Sequence, residues 1–177
     1  MVTAYVGLGS NLGDPVAHLL EAVALLDRLS EVDVQQCSSF YRSQPMVKLP
    51  QKRGRRQVSS RWRTRQPDYI NAVAMLEASL PPMQLLRRLQ GVEKRLGRLR
   101  TGVHWASRTL DLDLLLYGAR RIDLPRLRVP HPGIAERAFV LLPLAEIAPT
   151  DLVVPGHEAL EKMLAGVEHK TLEKLIE

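Results

Sequence analysis

Two aspartates, Asp111 and Asp113, stand one residue apart at the head of the most apolar run in the chain, the stretch SRTLDLDLLLY from Ser107 to Tyr117. A carboxylate beside a buried strand is costly unless a cation meets it, and a second one next to it adds repulsion. On a strand both would point to one face, about 7 Å apart along the chain, with Leu110, Leu112 and Leu114 directed into the core. Just upstream lie Arg98, Arg100, His104, Trp105 and Arg108 on one polar loop. Carboxylates on a rigid strand facing an arginine-rich loop suit a polyphosphate. Magnesium takes one or two protein carboxylates and fills its shell with phosphate oxygens and water. Arginines then meet the remaining phosphate charge in bidentate fashion. Phosphoryl transfer is mostly positioning and charge stabilisation, so such a set needs no nucleophilic side chain. A solvated basic loop salt-bridging the aspartates has the same spacing, and the pattern alone leaves both readings open.

Tyr69 and Asn71 are a second suggestive pair, since a ring and an amide on one strand face can stack a flat heterocycle and read its edge. A core tyrosine beside a hydrogen-bonded asparagine has the same pattern. The stretches VPHPG and ERAF add His131, Arg137 and Phe139.

The elements that must hold these residues follow from periodicity. Thr3 to Leu8 reads as a strand. Gly13, Asp14 and Pro15 then supply a turn, an N-cap and a first helical position for a helix from Pro15 to Leu29. Val32 to Tyr41 reads as a second strand and Tyr69 to Glu77 as a third. In the third, Tyr69, Asn71, Val73 and Met75 share one face, and Ile70, Ala72, Ala74 and Leu76 the other. Pro81 and Pro82 open a helix with an apolar stripe of Leu85, Leu86, Leu89, Val92 and Leu96. Leu110 to Tyr117 is a fourth strand, and GARRID reads as a hairpin turn with a short partner strand. Ile134 to Ile147 reads as a helix with a kink expected at Pro143, followed by a short helix near His157 to Leu164 and a frayed C-terminal helix. This order predicts an α+β domain, a ferredoxin-like three-layer αβα sandwich with a mainly antiparallel central sheet.

At 177 residues, 45% hydrophobic and 25% charged, the chain is expected to be a single globular domain over residues 1–177. No apolar run is long enough to span a membrane. The N-terminus lacks a basic and apolar leader pattern, and the lone Cys37 excludes an internal disulfide, so a cytoplasmic protein is expected. The net charge of +6 suggests an anionic partner. Eight cations between Lys48 and Arg65, with no acid among them, carry that excess. Because the basicity sits in one loop-like segment, a nucleic-acid-binding module is the weaker competing class.

GLGSNLG, from Gly7 to Gly13, follows a strand and precedes a helix, the setting of a dinucleotide-binding turn, with Asp33 near the place of a ribose-binding acid. The spacing is G-x-G-x-x-x-G and no second βαβ unit follows, so a Gly-permitted turn with Asn11 near the helix start is the preferred reading. No Walker-type phosphate loop is present.

Taken in order, GLGSNLG, SSFYRS, QPDYINAV, GRLR with HWASRTLDLDLLLYG, and VPHPGIAERAFVLLPLAEIAP resemble the 6-hydroxymethyl-7,8-dihydropterin pyrophosphokinase family of folate biosynthesis. The resemblance runs from Ala4 to about Leu164. It implies transfer of pyrophosphate from ATP to a pterin, with Asp111 and Asp113 holding two magnesium ions. Tyr69 and Phe139 would sandwich the pterin, and Asn71 with groups from Ser43 to Met46 would read its edge. Gln90, Glu93, Arg98, Arg100, Trp105, Arg108, Leu114, Arg126, His131 and Arg137 would fall around ATP, with Trp105 also near the pterin. Arg98 and Arg108 would act late, from a loop closing over the site. The protein is expected to be a monomer with no nucleic-acid or membrane partner. Residues 44–66 form a longer and more basic crossing than the family usually has. It is expected to be a solvated, disordered loop, with steering of anionic ATP by its clustered charge as the alternative, and deleting about Val47 to Arg65 is expected to leave folding and turnover intact.

Overall fold

Hydrophobic alternation and turn chemistry do most of the work in this chain, whose computed structural model describes residues 1–45, 66–98, 108–168 and 171–175. The basic segment from 46 to 65 and the loop from 99 to 107 lie outside the described residues.

Strand β1 (Val2–Ser10) runs two residues past its expected end, so Gly7 and Gly9 lie within a strand, and neither is in a turn. The turn comes at Gly13, with φ of 65°. Helix α1 (Pro15–Asp27) then begins as its sequence dictates, with Asp14 Oδ1 accepting the Ala17 N–H at 3.1 Å and Pro15 in the first turn.

The expected single strand from Val32 to Tyr41 is two strands, β2 (Val32–Cys37) and β3 (Tyr41–Ser43). The break has a physical cause at Ser38. Its hydroxyl accepts the Val73 N–H at 2.9 Å while its own N–H bonds the Val73 carbonyl, so a side chain stands in for the ladder. Strand β4 (Tyr69–Ala78) and helix α2 (Pro82–Arg95) follow with the expected faces.

After β5 (Asp111–Tyr117) the chain departs from expectation. Gly118, at φ of 51°, turns it away from the sheet, and β6 (Ile122–Leu124) pairs forward with β7 (Leu127–Val129). The expected partner of β5 is therefore a separate two-stranded ribbon. The expected helix from Ile134 breaks at Arg137, whose backbone is extended (φ −114°, ψ 94°). A 3₁₀ turn (Ile134–Glu136) precedes that residue and α3 (Ala138–Ile147) follows it. Helix α4 (Leu160–Ala165) comes next, and the expected C-terminal helix is instead a short strand, β8 (Glu173–Lys174). Tertiary pairing with the edge of β3 overrides local helix preference there.

The sheet runs β5-β1-β4-β3-β8, with β2 also paired to β4, and every pairing is antiparallel. With β2 and β3 counted as one broken strand, this is the ferredoxin-like order. The antiparallel pairing of β1 with both neighbours also removes the dinucleotide-fold reading of the glycines, which requires parallel strands. Helices α1 and α2 pack on one face around Leu19, Leu76, Leu85 and Leu89. Helices α3 and α4 pack on the other around Leu115, Leu116, Leu141 and Leu144, giving the three layers. No helix among the described residues is long and apolar enough to cross a membrane.

Candidate active site

One row of the sheet assembles the site. Gly9 on β1 is opposite Asn71 on β4 and Asp111 on β5, and Asn71 is in turn opposite Tyr41 on β3. One step along, Gly7 faces Asp113. With strands about 4.8 Å apart, the amide and the first carboxylate are cross-strand neighbours of the same glycine. Because Gly7 and Gly9 carry no side chains, they leave a flat floor between them. A Cβ on Gly9 would lie 3.5 Å from Asn71 Oδ1, and one on Gly7 3.4 Å from Leu115 Cδ2. Above that floor is a cavity of about 450 Å³. Ser43, Tyr69, Asn71, Arg108, Asp111, Asp113, His131, Arg137 and Phe139, all singled out in the sequence, line it.

The β1–β5 register slips between Tyr5 and Val6, so β5 carries a bulge at Leu115. Alternation keeps Leu115 on the cavity face with Asp111 and Asp113, behind Gly7, the bulge turns Leu116 to that face as well, and the Leu115 carbonyl accepts the His131 N–H at 2.9 Å. That bond docks the VPHPG segment against the carboxylates. His131 Nδ1 accepts the Gly133 N–H at 3.1 Å, so the ring proton belongs on Nε2, which lies 3.7 Å from Asp113 Oδ2. Arg137 Nη1 lies at the same distance from that oxygen. Its guanidinium also sits over the Phe139 ring, 5.8 Å from the centroid. The extended backbone at Arg137, which breaks the helix, is what turns this side chain back into the site.

Asp111 is already paired with cations. Arg108 bonds one of its oxygens and Arg98 the other, the latter at 2.6 Å. Arg98 also pairs with Glu93, which is only 2% exposed and accepts the Leu112 N–H at 2.8 Å. Asp113 differs: burial, with the charge of Asp111 beside it, pushes its carboxyl above the usual range, and His131 and Arg137 offset part of the rise. Burial pushes the His131 imidazole down, against the pull of Asp113. Burial raises the Tyr69 phenol as well. The two carboxylates are therefore unequal, one neutralised by arginines and one still short of compensating charge.

The remaining sequence-selected residues fall elsewhere. Gln90 is half-buried on α2, and Arg126 is exposed at the β6–β7 turn. The Leu114 side chain is in the core on the opposite face, so only its backbone can reach a ligand. Met46, His104, Arg100 and Trp105 lie outside the described residues. The sequence reading missed Gly7 and Gly9 as cavity floor, Leu115 as a bulge, and Asn11 as an anchor. Asn11, 1% exposed, accepts the Arg108 N–H at 2.8 Å, donates its own N–H to the Arg108 carbonyl, and bonds the Pro67 carbonyl at 3.2 Å. The alternation of glycine with apolar residues in VGLGS was the available signal for the floor. Nothing in the sequence marked the bulge.

A cavity lined by the rings of Tyr69 and Phe139 and by a carboxylate–guanidinium cluster, on a ferredoxin-like sandwich, has the layout of a phosphotransferase class. Comparison with known proteins narrows it. A family model described as 7,8-dihydro-6-hydroxymethylpterin-pyrophosphokinase matches residues 5–149. A 2-amino-4-hydroxy-6-hydroxymethyldihydropteridine pyrophosphokinase of Haemophilus influenzae is 42% identical over 97% of this chain and 98% of its own. The protein of the same name from Pseudomonas aeruginosa is 40% identical, over 97% and 95%. The chain belongs to the 7,8-dihydro-6-hydroxymethylpterin-pyrophosphokinase family. Among solved structures, the wild-type Plasmodium falciparum HPPK-DHPS chain with pteroate superposes with a TM-score of 0.66 at 12% identity. That match covers 93% of this chain and 42% of the other, so this chain spans less than half of that protein, and the likeness speaks to the fold alone.

Proposed function

We propose that the protein transfers an intact pyrophosphoryl group from ATP to the hydroxymethyl oxygen of 6-hydroxymethyl-7,8-dihydropterin, in tetrahydrofolate biosynthesis. The hydroxyl oxygen bonds the β-phosphorus, the bond between that phosphorus and the oxygen bridging it to the α-phosphorus breaks, the hydroxyl proton is lost, and AMP leaves with the bridging oxygen. The observation that carries this reading is the Gly9 row, which sets Asn71 and Asp111 on either side of one glycine, so heterocycle and polyphosphate meet over a single cavity.

The donor set fits magnesium. Asp111 and Asp113 offer hard oxygen ligands on one strand face, and no group of three metal-binding side chains exists among the described residues. Two carboxylates suffice where phosphate oxygens and water complete the shell, and the carboxyl pushed up by burial and its neighbour is the one a cation would relieve. When bound, held by Asp111 and Asp113, magnesium would supply charge neutralisation for the group in transit. Tyr69 and Phe139 would hold the ring, with Asn71 reading its edge. Arg98 and Arg108, engaged with Asp111, would turn to the phosphates once those arrive, and Arg137 and His131 already face Asp113.

Asp111→Asn and Asp113→Asn test the assignment. Each is expected to cut magnesium-dependent binding of the α,β-methylene analogue of ATP by about a hundredfold (~2.7 kcal/mol), while binding of the pterin stays near wild type. Retained magnesium-dependent nucleotide binding in either variant would remove that aspartate from the metal site.

A further inference from the structure

Glu146, one residue from the end of α3, does not line the cavity, yet three donors converge on it. Its Oε2 accepts the Ser39 N–H at 2.8 Å. Its Oε1 accepts the Tyr41 hydroxyl at 2.7 Å and the Lys174 ammonium at 2.5 Å. Burial alone would raise this carboxyl, but the bonds from Lys174, Tyr41 and Ser39 outweigh it and hold the group below the usual range, as an ionised acceptor. The donors come from the segment before β3, from β3 itself and from β8.

Strand β3 has three residues, and its sheet partners are β4 on one side and the two-residue β8 on the other. A strand that short is weakly held by its ladder alone. The exposed Arg42–Glu173 pair across β3 and β8 adds little. Glu146 supplies the missing anchor from the layer above.

What β3 carries makes its position matter. The Tyr41 carbonyl and the Ser43 hydroxyl accept from Asn71 Nδ2 at 3.3 Å and 2.9 Å. The NH₂ of Asn71 is therefore committed to β3, and Oδ1 lies toward Gly9 and the cavity floor as an acceptor. A shift of β3 would release both bonds and let the amide turn its NH₂ toward the cavity, reversing the polarity that a bound heterocycle meets. Phe139 and Glu146 lie seven residues apart, about two helical turns, on one face of α3. The helix that supplies a ring to the slot thus also fixes the strand that orients the amide opposite.

We propose that Glu146 is a positioning residue for the heterocycle slot, acting through Tyr41 and β3 on the orientation of the Asn71 amide, with Lys174 of the C-terminal strand as a second anchor. This rests on the pterin reading of the slot.

The full-length chain is titrated with 6-hydroxymethylpterin, followed by its fluorescence, and separately with the magnesium complex of the α,β-methylene analogue of ATP. Glu146→Ala is expected to weaken pterin binding about tenfold, the worth of one oriented hydrogen bond, and to leave nucleotide binding within about twofold. Glu146→Gln, which keeps an acceptor for the Tyr41 hydroxyl, is expected to fall between Glu146→Ala and wild type. Lys174→Met leaves α3 untouched and is expected to weaken pterin binding about threefold with nucleotide binding unchanged. Wild-type pterin affinity in Glu146→Ala, or equal losses for both ligands in Glu146→Ala and Lys174→Met, would overturn the inference alone. A wild-type chain that binds the nucleotide but no pterin would overturn the substrate reading and this inference with it.

Discussion

Replacing Glu93 by alanine removes a buried carboxylate that joins three parts of the site. It accepts the Leu112 N–H between the two aspartates, pairs with Arg98, and anchors the last turn of α2 to β5. The orphaned N–H of Leu112 alone should cost about 1–3 kcal/mol. Breaking a buried ion pair by deleting one partner costs about 3–5 kcal/mol, but Arg98 keeps Asp111 and is 16% exposed, so only part of that applies. The combined loss is expected at about 2–4 kcal/mol. In a chain of this size each kcal/mol moves the midpoint by about 2–4 °C, so a fall of roughly 10 °C is expected in calorimetry, with a matching drop in the urea midpoint. Glu93→Gln keeps an oxygen for Leu112 and loses only the charge, so it should lose about half as much. A Glu93→Ala variant within about 0.5 kcal/mol of wild type would refute the idea that this carboxylate ties α2 to the aspartate strand.

Gly9→Val places a β-branched side chain in a strand, where it is well tolerated, but on the cavity floor between Asn71 and Asp111. The variant is expected to keep the wild-type melting temperature within a few degrees and to lose measurable pterin binding; retained binding would place the ligand elsewhere. For Glu146, whose carboxyl is held below its usual 4.5, the ionised form favours the fold. The stability advantage of wild type over Glu146→Gln should therefore be complete above about pH 4.5 and vanish as pH falls through the depressed value. Urea midpoints of both proteins between about pH 7 and pH 3 measure it, and an advantage that persists at the acid end would contradict the sign.

Most of the site was legible because its residues sit on elements whose period the sequence declares. Asp111 and Asp113 alternate with leucines, and Tyr69 and Asn71 alternate with apolar residues, so strand geometry alone put each pair on one face. The illegible parts depend on contacts made far along the chain. The break between β2 and β3 needs Val73 opposite Ser38. The bulge at Leu115 hides in a run of leucines where either face is equally apolar. The C-terminal strand exists because β3 offers an edge, while its own residues read as a helix end. Glycines 7 and 9 illustrate a different difficulty. Their setting between a strand and a helix suggests a turn, and only the register with Asp113 and Asp111 reveals that their role is to be small.

The central claim is transfer of two phosphates as one group onto a pterin, and product identity tests it most directly. With ATP labelled at the β-phosphate, magnesium and 6-hydroxymethyl-7,8-dihydropterin, the label is expected to move to the pterin product, with one AMP formed for each pterin consumed. Formation of ADP, or AMP release that does not depend on the pterin, would contradict it.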